Sequence, residues 1–180
     1  MPIIQPGRFT ARHDGPLVVF LIGMRINRFM QVSQWLPVAR AMGPMIDELT
    51  RDPDSGFLGA ENLFQPWRTV LLAQYWRDFD SLERYARAAD KHHLPAWHAF
   101  NQASRQNDSV GIFHETYLVP RRGLETIYAN MPKFGLGKVA GTVPVTERRE
   151  TARSRMTGIK PDAKPDTRGN GAVDEKEEGV

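Results

Sequence analysis

The stretch PLVVFLIGMRIN, residues 16–27, constrains the fold more than any other. Asp14-Gly15-Pro16 marks a turn before it, and its β-branched and large apolar residues predict a strand. Successive side chains of a strand point to opposite faces. Val18, Phe20, Ile22, Met24 and Ile26 then form one row; Leu17, Val19, Leu21 and Gly23 form the other, which ends at Arg25 and Asn27. Both rows are apolar, so both faces of the sheet need cover.

The neighbouring segments say what supplies one of those covers. QVSQWLPVARAMGPMIDEL, residues 31–49, places Trp35, Val38, Met42, Met45, Ile46 and Leu49 on one helical face. Pro37 fits the first turn of such a helix, and Gly43-Pro44 should bend or break it. GFLGAENLF (56–64) begins a weak strand and RTVLLAQYWRD (68–78) is a strong one. A helix should start near Asp80 or Ser81, and VGIFHETYLVP (110–120) is a last strand closed by Pro120. The order β-α-β-β-α-β predicts an α+β, ferredoxin-like sandwich with both helices on one face of an antiparallel sheet. The uncovered apolar face then needs a partner. A second copy of the chain, sheet to sheet, is the simplest, so a homodimer with an apolar cavity between the sheets is expected.

The whole chain has 180 residues, enough for one domain and a tail. The domain is expected to end with a cladding segment at residue 142. Residues 143–180 carry no aromatic side chain and balance eight basic against eight acidic residues, the composition of a disordered tail. RRGLETIYANMPKFGLGKVAG, residues 121–141, should pack over the cavity mouth or across the dimer, with Tyr128, Met131, Phe134 and Leu136 able to line a lid. Without cysteine there is no disulfide, thiolate nucleophile or thiolate metal site. No signal pattern opens the chain and no apolar run approaches ~20 residues, so a soluble cytoplasmic protein with no membrane partner is expected. A net charge of +3 without basic runs interleaved with aromatics gives no sign of nucleic-acid binding.

VVFLIGMRIN, WLPVARAMGPMI, GFLGAE, QYWRDFDSLERYARAADKHHLPAWHAFN, GIFHETYLV and YANMPKFGLGK together resemble the fumagillin-pathway monooxygenase-like family, one of the dimeric α+β barrel (antibiotic biosynthesis monooxygenase-like) proteins. The match runs in order over roughly residues 8 to 138. The resemblance implies a dimeric ferredoxin-like barrel and a cofactor-free monooxygenase activity. More distantly, the superfamily includes haem enzymes, haem-degrading monooxygenases and aldoxime dehydratases among them. Fold alone does not choose between these chemistries.

The residues offer three constellations. KHHLPAWHAF, residues 91–100, crowds three histidines together, but His92, His93 and His98 are spaced by one, five and six, and no pair aligns on a helix. Only His93 continues the apolar face of Leu82, Tyr85, Ala86 and Ala89. It is either a core histidine or, if haem is present, its ligand; some superfamily haem enzymes take their proximal histidine from the second helix. His114 lies in a strand whose rows are Val110, Ile112, His114, Thr116, Leu118 and Gly111, Phe113, Glu115, Tyr117, Val119. If the first row faces the cavity, His114 is a general base suited to neutral pH. If the second does, Glu115 and Tyr117 become the acid–base pair. Arg25, Asn27 and Trp76 (which alternates with Gln74) are side chains that could bind and stabilise an organic anion before it meets O₂. A salt bridge at the sheet edge is an equal reading of Arg25. The function classes left open are a cofactor-independent monooxygenase acting on a hydrophobic, electron-rich small molecule, a haem enzyme of the same fold, and a non-catalytic binding protein.

Overall fold

A computed structural model describes residues 2–66, 68–88 and 108–157. Its central sheet has four antiparallel strands in the order β3-β4-β2-β5, with β2 at Leu17–Ile26, β3 at Phe57–Gln65, β4 at Thr69–Trp76 and β5 at Val110–Val119. Helix α1 (Val32–Arg51) links β2 to β3, and α2 (Phe79–Arg87) follows β4. This is the βαββαβ order and strand arrangement of the ferredoxin-like fold. Asp78 caps α2, its carboxylate accepting from the Ser81 amide at 2.7 Å. The capping contacts, with Ser81 first and Arg77 next, lower the Asp78 pKa to about 2.

Register fixes which side chains share a face. Val18, Phe20 and Ile22 lie opposite Trp76, Gln74 and Leu72 on β4, and opposite Leu118, Thr116 and His114 on β5. All of these point toward the helices. Two clusters join helices to sheet. Ile46 and Leu49 of α1 meet Leu82 and Tyr85 of α2 over Val18, Phe20 and Trp76. Trp35, Val38 and Ala39 pack on Met24, Ile26 and Val110 at the other end of β2. Trp76 is fully buried, with its ring edge-on to Phe57 at 5.3 Å between centroids.

One expectation needs correction. Helix α1 runs unbroken through Pro37 and Pro44. A proline removes one backbone donor, and the packing of α1 on the sheet at both ends outweighs that loss. The segment after β5 runs to two places. Its strand β6 (Tyr128–Met131) pairs with an N-terminal strand, β1 (Gln5–Ala11), that the sequence patterning had not revealed. Its helix α3 (Gly135–Ala140) packs instead on the outer face of the sheet, where the Gly135 amide donates to Glu61 Oε1 at 3.0 Å. Gly59 (φ 150°) makes room there, since a Cβ would stand 2.7 Å from a Val139 methyl.

The boundary placed at residue 142 falls on the first residue of a further strand, β7 (Thr142–Pro144), which pairs with the other edge of β1. A 3-10 turn at Glu147–Arg149 and a short helix α4 (Ala152–Thr157) follow. Of the expected tail, residues 158–180 lie outside the described residues. Among the described residues no helix is long and apolar enough to cross a membrane.

Candidate functional site

Ile22 belongs to neither packing cluster, and over the middle of β2 the helices leave a cavity of about 420 Å³. Its floor is the helix-facing row of the sheet, Phe20 and Ile22 flanked by Gln74 and Trp76 on one side and His114 and Thr116 on the other. Its walls are Met42, Met45 and Ile46 of α1 and Phe79, Leu82 and Tyr85 of α2. The cavity thus lies between sheet and helices within one chain, not between the sheets of two chains as expected. Alternation explains this: once β2 turns its Phe20 row to the helices, every residue paired with that row follows.

A few polar groups interrupt the apolar lining, the usual character of a small-molecule site. The Trp76 indole N–H donates to Gln74 Oε1 at 2.9 Å, inside the core. This fixes the Gln74 amide and leaves its Nε2 without a partner among the described residues. His114 lies against Phe20, ring centroids 5.6 Å apart, and neither ring nitrogen has a hydrogen bond there. Gln74 stands opposite Phe20 and His114 opposite Ile22, on strands either side of β2, so two strand spacings and a two-residue offset put their Cα atoms about 12 Å apart. Tyr85 is committed elsewhere: its hydroxyl donates to Glu48 at 3.2 Å, and burial first, then the Glu48 charge, pushes its pKa up. That hydroxyl stays protonated at neutral pH and is no base.

Of the residues singled out from sequence, His114 and Trp76 meet in this cavity. Arg25, Asn27 and Glu115 do not line it. Arg25 lies on the outer row, opposite Thr69 and Gly111, and is exposed. Asn27 fastens the end of β2 by donating to the Asp108 carbonyl at 2.9 Å. Glu115 is on the outer face, where it accepts the Tyr117 hydroxyl's hydrogen bond and thereby raises the Tyr117 pKa. His93, and with it His92 and His98, lies outside the described residues. His114 is therefore the described histidine with a free ring nitrogen on the cavity, whether as base or as an axial ligand to haem. Among the described residues no three potential metal ligands come together. Sequence reasoning passed over Gln74 as a functional group. The signal was present: a glutamine two residues before a tryptophan, in the inward row of an apolar strand, must find a partner or serve as one.

Four likenesses follow this geometry. The model of the Monooxygenase af470-like family matches residues 17–136. Monooxygenase af470 of Aspergillus fumigatus is 30% identical over 149 residues, covering 77% of this chain and 46% of the relative, so the chain spans about half the length of that relative. An aldoxime dehydratase structure superposes with a TM-score of 0.56 at 17% identity, over 79% of this chain and 43% of that one, a likeness of fold. SnoaB, described as a cofactor-independent oxygenase from Streptomyces nogalater, gives 0.41 at 14% identity over 56% of this chain and 90% of its own. With a matching core from β2 to the first turn of α3 and the βαββαβ sheet in place, the chain belongs to the Monooxygenase af470-like family.

Proposed function

We propose that this chain is a cofactor-independent monooxygenase whose substrate, a hydrophobic and electron-rich small molecule, binds between the sheet and the helices. The observation that carries this reading is the pairing of a free imidazole, His114, with a fixed amide donor, Gln74, on opposite sides of an apolar floor. A base and a donor whose Cα atoms stand about 12 Å apart, both lining the cavity, suit a ring system with an acidic C–H at one end and a conjugated carbonyl at the other. His114 takes the proton. The negative charge spreads to the carbonyl oxygen, where the Gln74 amide stabilises it. The carbanion passes one electron to O₂, the two radicals combine to a peroxide, and the imidazolium returns the proton. Loss of water then breaks the O–O bond and leaves a carbonyl carbon. One oxygen atom enters the product and the other leaves as water, so no external reductant is consumed. Trp76 holds the donor, and Phe20, Ile22 and Met45 keep water from the anion.

The same reading includes a homodimer. Beyond the area covered by α3, the outer face keeps Phe113 at 39% and Tyr117 at 49% exposure on β5, with Leu63 in the same row on the opposite edge strand β3. Gly23 lets the Phe113 ring lie flat across the sheet, since a Cβ would stand 2.6 Å from it. A second copy related by a two-fold axis would cover this patch.

Oxygen uptake by the purified chain with anthrone, a tricyclic ketone bearing an acidic methylene, tests the reaction. The expected result is conversion to the quinone with one O₂ consumed, in apoprotein free of metal, and loss of activity in His114→Ala. A Soret band that disappears in His114→Ala would assign the site to haem instead. Tight binding of such ketones with no oxygen uptake would make this a binding protein.

A further inference from the structure

A second concavity, of about 260 Å³, has a different character. It forms where the end of β1 and the turn after it meet the segment following β5 and the C-terminal elements. Five arginines line it, Arg12, Arg121, Arg122, Arg149 and Arg155, against one carboxylate, Asp14. Arg155 builds the wall. Its Nε donates to Glu125 at 2.6 Å, its Nη1 donates to the Arg149 and Glu150 carbonyls, and its side chain is 8% exposed. The side chains of Arg12, Arg121, Arg122 and Arg149 have no ion pair or hydrogen bond among the described residues. Elsewhere Arg8, Arg28, Arg77 and Arg87 each meet a carboxylate.

Four guanidiniums that are unpaired among the described residues repel each other around one hollow, and the hollow concentrates their field. The repulsion is relieved when an anion enters. The planar fork of arginine matches the oxygens of phosphate two at a time. Among the described residues no aromatic ring other than the His13 imidazole lines the cleft, which gives nucleic-acid bases no platform there to stack on. Its size is below that of a drug-sized pocket, and only Leu124 and Met156 offer large apolar surface. The backbone around it is pinned: the Arg12 amide donates to the Gly141 carbonyl at 2.9 Å and the Ala11 amide to the Thr126 hydroxyl at 2.8 Å. Arg12, Arg149 and Arg155 lie outside residues 17–136, which match the family model, while Arg121 and Arg122 lie within them.

We propose that this arginine cleft binds a small soluble anion carrying one or two phosphate groups. Titration calorimetry with inorganic pyrophosphate at fixed ionic strength tests it on the full chain. One saturable site is expected. Arg12→Ala and the double variant Arg121→Ala/Arg122→Ala should each weaken it by about tenfold or more, the loss of a charge-assisted hydrogen bond. Arg12→Lys, which keeps the charge but loses the fork, should retain part of the affinity. Arg25→Ala, on the outer face of the sheet, should change nothing, and circular dichroism should show every variant folded. Absence of saturable heat, or binding indifferent to Arg12, Arg121 and Arg122, would overturn the proposal. So would cosedimentation with phosphoinositide-containing vesicles by a chain that ignores pyrophosphate, which would assign the charge to a lipid surface.

Discussion

The two hollows of this chain are made of opposite materials. The one under the helices is walled by carbon, and its few polar groups are held singly and apart. The one at the end of β1 is walled by charge, and its cations crowd together. An isolated imidazole and amide in apolar surroundings favour creating a charge on a bound molecule and stabilising it there. Clustered cations favour holding a charge that already exists. The difference teaches that neither hollow can substitute for the other: on the proposed readings, one serves a reaction and the other recognition.

Variants can break that contrast, and the largest effect belongs to the reacting side. His114→Ala should lower the rate of oxygen uptake by about 10²–10⁴-fold, the worth of a general base. Because the ring is exposed and its one ring contact among the described residues is with Phe20, its unfolding midpoint should stay close to wild type. An equal rate would remove His114 from the chemistry and leave the cavity as a binding site. Next comes Trp76→Ala, which should cost about 3–5 kcal/mol in chemical denaturation, the range for emptying a buried aromatic site. It should also release the Gln74 amide, so kcat should fall even where the protein remains folded. Phe113→Glu should move the protein from dimer to monomer in gel filtration while leaving pyrophosphate binding intact. A dimer that survives it would place the interface elsewhere.

The smallest expected effect is electrostatic. Folding lowers the pKa of Asp78 to about 2, so its contribution is present above the unfolded carboxylate value near 3.9 and is lost as pH falls toward 2. Asp78→Ala should therefore cost about 1 kcal/mol at pH 7, the worth of an N-cap, and close to nothing at pH 2. A urea midpoint difference that persists in acid would mean that the cap acts through something other than charge.

Much of this was legible in the residues themselves. The alternation of Val18, Phe20 and Ile22 fixes a strand with two rows, and the order of segments fixes the central sheet. What could not be read was pairing. Whether His114 or Glu115 faces the helices depends on which of them stands opposite Ile22, and that choice needs the other strand. The three-stranded sheet was hidden for a related reason. QPGRFTA contains Pro6 and Gly7, which argue against a strand, and β7 is only three residues long, too short to show a period. Its strands exist because they have each other. Proline misled in α1 because local propensity is weak beside packing along two clusters.

That second sheet also has a timetable. Its middle strand leaves the ribosome well before its two edges, Tyr128–Met131 and Thr142–Pro144. At ordinary rates of translation β1 waits roughly ten seconds for both neighbours. A bare strand is an invitation to other nascent chains. Pro6, which has no amide hydrogen to offer, and Gly7 at φ 98°, beside the register shift between Gln5 and Arg8, make β1 a poor template during that interval. The irregularity that concealed the strand in the sequence guards the growing polypeptide until its own partners arrive.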